Sequence, residues 1–228
     1  MESIGPDELY DERGDVARSR MIFQGDVFQN VELPGFGDEP QIVQVVAHPC
    51  SMRAGTKLHT RITVAPVVRN KQLVGEEWNG SLRIMPLAEL VDGTHYAAKF
   101  IDITAAPAEL LRLDDRIATL SDRGIYVLQQ RLIKHYTRLE VEPGVLAVES
   151  STTIWELHEQ REWIETVLED EDSWTDENLL AQEVAFDSWL REGNPSRREQ
   201  LKIEHAHADL RRQARQAARE YASQLADD

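Results

Sequence analysis

The apolar positions of this chain follow strand-like patterns from Gly25 to Thr104 and a helical period from Ser121 onward. GDVFQNVEL, from Gly25 to Leu33, alternates through Val27 and Val31 and predicts a strand. Gly35 and Gly37 mark a turn, and Gln41–Ala47 predicts a second strand rich in β-branched residues. RITVAPVV, Arg61–Val68, predicts a third, and NKQLVGEEWNG after it reads as a polar loop with turn residues. Ser81–Val91 and Thr94–Thr104 predict two more strands. Short strands at close spacing, with no helix between them, favour a small barrel or sandwich over a parallel α/β sheet. Residues 1–22 show little periodicity and read as a loose N-terminal arm.

The helical period begins at Ser121, a good N-cap, and runs through Ile125, Leu128, Leu132, Ile133 and Tyr136 as one apolar stripe. Gly124 is a mild cost in the first turn. Beyond Val148 the helical period returns. Ile154, Leu157, Ile164, Val167 and Leu168 form one set, and Leu179, Leu180, Val184, Phe186 and Leu190 follow a Thr175-Asp176 cap pair. Gly193-Asn194-Pro195 is a stop, and Ser196 is expected to cap a last helix running almost to the C-terminus. The fold class is therefore α+β: a β domain over residues 23–149 with a closing helix, then an α-helical extension over 150–228.

Charge refines this picture. The net charge of −16 argues against broad non-specific nucleic-acid binding, which depends on Lys and Arg. The acidity is local: residues 156–192 hold 13 acidic and 2 basic side chains, whereas 31–150 are nearly balanced. The last helix is basic, with Arg197, Arg198, Lys202, Arg211, Arg212, Arg215 and Arg219, and intramolecular pairing with the acidic segment is its expected use. The tryptophans at 155, 163, 174 and 189 are expected to pack helices on one another or on the barrel. No apolar run reaches the length of a membrane span, and the N-terminus lacks a signal-peptide pattern, so a cytoplasmic location is expected. One cysteine permits no internal disulfide, the histidines have no ligand-like spacing, and no phosphate-loop motif occurs; neither metal nor cofactor is expected.

The densest local chemistry is His48-Pro49-Cys50-Ser51-Met52-Arg53, where Pro49 should end the second strand. His48 and Cys50 have the types of a base–nucleophile pair, but no orienting Asn or Asp accompanies them. A turn packed by Pro49, Cys50 and Met52 is the preferred reading, with Cys50 mostly buried and Arg53 at least partly exposed.

The first part of the chain resembles the MazF/PemK family of toxins. Gly25-Asp26-Val27-Phe28 resembles the family's opening strand, and Pro40 with the apolar strand after it resembles the next. RITVAPVV sits where the third strand falls, and LLRLDDRIATLSDRGIYVLQQRL is similar to the late segment before the closing helix. The resemblance implies an SH3-like β-barrel, a homodimer, RNA binding and metal-independent endoribonuclease activity. Active members carry an arginine before the proline of the second strand and a Thr or Ser ending the third; here those places hold Glu39, and Val67 and Val68. Cleavage would then need an altered site, with His48, Arg53 and Arg61 as its acid–base and phosphate-binding groups. The other reading is a non-catalytic module that reuses the barrel to bind a protein partner. For the acidic segment two outcomes stand: residues 150–192 cover the basic groove, docked through Trp155, Trp163 and Leu168, or they form a solvated acidic hairpin.

Overall fold

The computed structural model describes residues 4–73 and 75–227. They divide into two units. One comprises the described residues up to Ala17, Ile22–Ala54 and Leu58–Glu149; the other comprises Arg18–Met21, Gly55–Lys57 and the chain from Ser150 on.

The first unit is a nearly closed antiparallel barrel. A helical turn, α1 (Pro6–Leu9), leads into β1 (Tyr10–Arg13), followed by β2 (Val27–Val31), β3 (Gln41–Val45) and a helical turn α2 (Pro49–Met52). A two-residue ribbon of β4 (Arg53–Ala54) and β5 (Lys57–Leu58) precedes the long β6 (Arg61–Arg69). Then come α3 (Glu76–Gly80), β7 (Ile84–Val91), β8 (Thr94–Lys99), β9 (Thr104–Pro107), β10 (Arg116–Leu120) and the closing helix α4 (Asp122–Thr137). The sheet order is β1-β10-β2-β3-β6-β8-β7, with β9 also on β6.

Strand β6 organises the barrel. One edge pairs with β3; the other is shared, β9 opposite Arg61–Val64 and β8 opposite Val67–Arg69. Pro66, which has no amide to donate, falls in the gap between those two partners. Pro86 sits in β7, a strand at the end of the sheet order, where a missing donor costs least. The core gathers Phe28, Val31, Val43, Val45, Met52, Ile62 and Val64 from β2, β3, α2 and β6.

The residues of the Gly-Asp-Val-Phe and Arg-Ile fragments meet here. Gly25 has φ +97°, and a Cβ there would lie 2.7 Å from Leu120 Cδ1, so only glycine fits. Asp26 and Arg116 form an ion pair at 3.1 Å with both side chains fully buried. Asp26 also accepts from the Phe23 amide, and Arg116 donates to the Ala17 carbonyl. Such a pair is sustained by its extra hydrogen bonds, and removing either partner leaves a buried charge.

Three expectations are corrected. The N-terminal segment is not a loose arm: β1 pairs with β10, and Leu9 is fully buried. Arg18 donates to Asp176 at 2.5 Å and Ser19 to Glu165 at 2.7 Å within the second unit. A four-residue strand is too short to show a period, which is why the sequence pattern misses it. The polar loop contains α3, with Trp78 only 2% exposed. On α4 the buried face is Gly124, Ile125, Val127, Leu128, Gln130 and Arg131, while Tyr136 is 65% exposed. Ser121 does cap this helix, accepting from the Gly124 amide at 3.0 Å. Gly124 is required because a Cβ would sit 2.3 Å from the Leu9 carbonyl oxygen.

The second unit is helical. It holds most of α5 (Pro143–Val167), which runs unbroken through the expected boundary at residue 149, then α6 (Asp176–Arg191), α7 (Arg197–Gln200) and α8 (His207–Asp227). Thr175 caps α6 as expected, but Ser196 caps only the one-turn α7, through a full capping box; the last helix starts at His207. Trp155, Trp163, Phe186 and Trp189 form its core with Leu190, Leu201 and Leu210. Trp163 lies 5.8 Å from Phe186 and 6.1 Å from Trp189, ring to ring.

Candidate functional site

After β3 the chain stays beside β6, because the amides of Val46 and Ala47 both donate to the Thr63 carbonyl, at 3.0 and 3.2 Å. It then turns at His48, which has extended φ and ψ and caps α2. The His48 Nδ1 accepts from the Cys50 amide at 3.3 Å. Pro49 and Met52, three apart on one helical turn, face inward, and Cys50 and Ser51 face outward. Cys50 is therefore exposed, not buried as expected, and Met52 at 1% exposure takes the inward place. A strand would alternate those positions; a helical turn rotates them.

Arg53, the first residue of β4, is half-buried and donates to the Ile22 carbonyl at 3.2 Å. The His59 amide donates to the Met52 carbonyl at 2.9 Å and so brings the chain back beside α2, two residues before β6 begins. Arg61, exposed, opens β6 opposite Pro107 of β9. The topology thus collects His48, Arg53, His59 and Arg61 at one end of the sheet. Two further cations of this part of the chain, Arg69 and Lys71, do not join them. Arg69 lies eight residues along β6, roughly 27 Å away. Lys71 is paired with Glu77.

This geometry sets what the rim does chemically. His48 is exposed overall, but partial desolvation of its imidazole holds it below its ordinary pKa, favouring the neutral ring. Because Nδ1 already accepts an amide, the neutral ring carries its proton on Nε2 and offers a donor to solvent. The nitrogen that would take a proton from Cys50 or from a ribose hydroxyl is engaged. Arg53 and Arg61 present guanidinium groups suited to phosphate oxygens. Glu39 is exposed, Val67 is 5% exposed between Ile42 and Ala98, and Val68 is half-buried, so those positions supply neither hydroxyl nor guanidinium.

The helical unit's cations are matched internally. Arg198 reaches Glu156 at 3.2 Å and Asp187 at 2.9 Å, Arg211 reaches Glu159 at 2.5 Å, and Arg215 reaches Glu162 at 2.5 Å. Burial raises the Glu156 pKa in spite of Arg198. At Asp187 burial acts upward, but hydrogen bonds from Arg191 and Arg198 outweigh it and hold the carboxyl low. Trp155 and Trp163, the expected docking groups of the acidic segment, belong to this unit's own core.

A further feature has no linear motif: a cleft of about 290 Å³ in the first unit, between Lys71–Leu73, Trp78 and the β7–β8 hairpin. Its lining residues come from four separate stretches of chain. Among the described residues no group of His, Cys, Asp and Glu is arranged to hold a metal, and no helix is long and apolar enough to cross a membrane. Compared with known proteins, the chain matches no family model and no curated sequence.

Proposed function

We propose that the barrel is an RNA-binding unit of the toxin–antitoxin kind, which holds single-stranded RNA at the His48–Arg61 rim without cutting it. The observation that carries this reading is charge placement. Residues 41–75 contain no Asp or Glu in a chain of net charge −16, and the fold gathers four of their cationic or imidazole side chains at one sheet end. Phosphate contacts are the main source of affinity for RNA, and a stretch of chain without carboxylates is where they cost least. Binding without cleavage is argued from His48: its Nδ1 lone pair holds an amide, so this ring offers the 2′-hydroxyl no base.

The test is fluorescence anisotropy with a labelled single-stranded 12-mer at 50 and 200 mM salt. About three phosphate contacts give a log–log salt slope near −2. Arg53→Ala with Arg61→Ala should weaken binding about tenfold and flatten that slope, and the RNA should remain full length on a gel. No binding at 50 mM salt, or equal binding by the double variant, overturns the reading. Shortened RNA overturns its non-cleaving part.

A second reading, a protein-interaction module, is favoured by a separate apolar group: Tyr136, Leu139, Val145 and Val148 are all more than half exposed. Recovery of a stable protein partner with no RNA crosslinked would select it.

A further inference from the structure

At the far end of β6 from the rim, the chain leaves Arg69 and passes Asn70, whose amide donates to the His95 carbonyl at 2.9 Å. It then enters the wall of the 290 Å³ cleft at Lys71 and Gln72. The cleft's charges are compensated. Lys71 pairs with Glu77, and the Glu89 carboxylate stands 3.8 Å from Arg13, which also donates to the Glu89 carbonyl at 2.6 Å. Both pairs are solvent-exposed and their charges balance, so the cleft offers little net attraction to an ionic ligand and a neutral occupant fits best.

The cleft is also polar in a directional way. Glu89 has φ +52° at an irregularity of β7, a left-handed conformation rare for glutamate, and its amide donates to His95 Nδ1 at 3.3 Å. His95 is thereby held with its proton on Nε2, a fixed donor. Gln72 carries a donor and an acceptor side by side, and the Tyr96 hydroxyl supplies either. The walls include two aromatic rings. Trp78 is locked, with Nε1 donating to the Leu73 carbonyl at 2.9 Å and the Arg131 guanidinium 5.3 Å from its ring centre. Tyr96 is half-buried. A flat, neutral molecule with mixed donors and acceptors on its edge matches these walls.

We propose that this cleft takes one unstacked nucleobase of the bound RNA, stacked on Tyr96 and read by His95 and Gln72. This rests on the RNA-binding reading and adds a base-contacting site to the phosphate-contacting rim. Base recognition of this kind depends on single-stranded RNA, whose bases are free to turn out onto aromatic faces. Arg69, exposed at the end of β6, is placed for a neighbouring phosphate.

The experiment uses the full chain and a set of single-stranded 12-mers in which each position in turn is abasic, with anisotropy as the readout. One abasic position should weaken binding about tenfold, in the range that losing a stacked base produces. Tyr96→Ala should weaken intact RNA to a similar extent and should not further weaken that abasic RNA. Gln72→Ala, at an exposed loop position, supplies a second variant that leaves the β8 strand untouched, and should weaken binding severalfold. Equal binding of all abasic RNAs overturns the base site and leaves the rim reading standing. If no RNA binds at 50 mM salt, the RNA reading itself falls. If Tyr96→Ala and Gln72→Ala both bind intact RNA as the parent does, the cleft is not the base site.

Discussion

His48 illustrates how one residue's backbone role limits its chemistry. Its imidazole caps α2 through Nδ1, and protonation would turn that acceptor into a donor facing another donor. Partial desolvation lowers its pKa in the folded chain, so the unfolded chain takes up the proton first as pH falls. The stabilisation is complete above the ordinary histidine pKa of about 6.5 and is lost as pH drops through the folded value. His48→Asn keeps a side-chain acceptor and does not titrate. Its urea midpoint should therefore fall less between pH 7.5 and pH 5 than that of the parent. His48→Ala should lose about 0.5–1 kcal/mol at pH 7.5. An equal acid-induced drop in parent and His48→Asn would refute the capping account. The histidine was visible in the sequence; the tautomer was not, because it depends on an amide two residues on being turned back by a helical turn.

Between elements, the least legible contact is Arg131 of α4. Its side chain is fully buried and donates to the carbonyls of Ile84 at 2.8 Å, Trp78 at 3.0 Å and Ser81 at 2.5 Å. Among the described residues no carboxylate pairs with it. Burial lowers its pKa to about 10, which leaves it charged at pH 7. The guanidinium thus replaces the backbone partners that the irregular segment from α3 to β7 lacks. Arg131→Met fills the volume but orphans those carbonyls. It should lower stability by about 2–4 kcal/mol, read as a lower urea midpoint with unchanged slope. A loss below about 1 kcal/mol would mean that the segment is held by Trp78 packing alone. Sequence reasoning drew the α4 stripe through Ile125, Leu128, Leu132, Ile133 and Tyr136 and passed over Arg131, because an arginine scores as a surface residue in any hydrophobic pattern. Only the three carbonyls brought to it by α3 and β7 make burial tolerable.

Over the whole molecule, the sign of the charge differs from region to region. The barrel carries the acid-free stretch, whereas 13 carboxylates crowd residues 156–192 and part of them are matched by Arg198, Arg211 and Arg215. Helix α8 is therefore a poor RNA surface despite its arginines, since each matched guanidinium would have to leave a carboxylate to reach a phosphate. Arg211→Gln with Arg215→Gln in the full chain should leave RNA affinity within about twofold of the parent, against about tenfold for the rim pair. The Arg215–Glu162 pair is exposed on both sides, so its loss should cost little stability. Arg211→Gln takes the guanidinium from the buried Glu159 carboxylate and should cost more. A drop in affinity as large as that of the rim variant would move the RNA surface to α8.

The sequence by itself determined the fold class, the positions of strands β2, β3, β6, β7 and β8 and of helices α4 and α6, and the pairing of acidic and basic helices. Each of these follows from a repeating local pattern: alternation on a pleated sheet, a 3.6-residue stripe, or blocks of opposite charge close in the chain. The tertiary structure alone decided the pairing of β1 with β10, the burial of Arg131, the ion pair of Asp26 with Arg116 and the cleft around His95. These depend on residues tens of positions apart becoming neighbours, and no window of the sequence carries that information. Cys50 lies at the boundary between the two. Its neighbours were legible, but whether it faces in or out changed with the choice between one more residue of strand and one turn of helix.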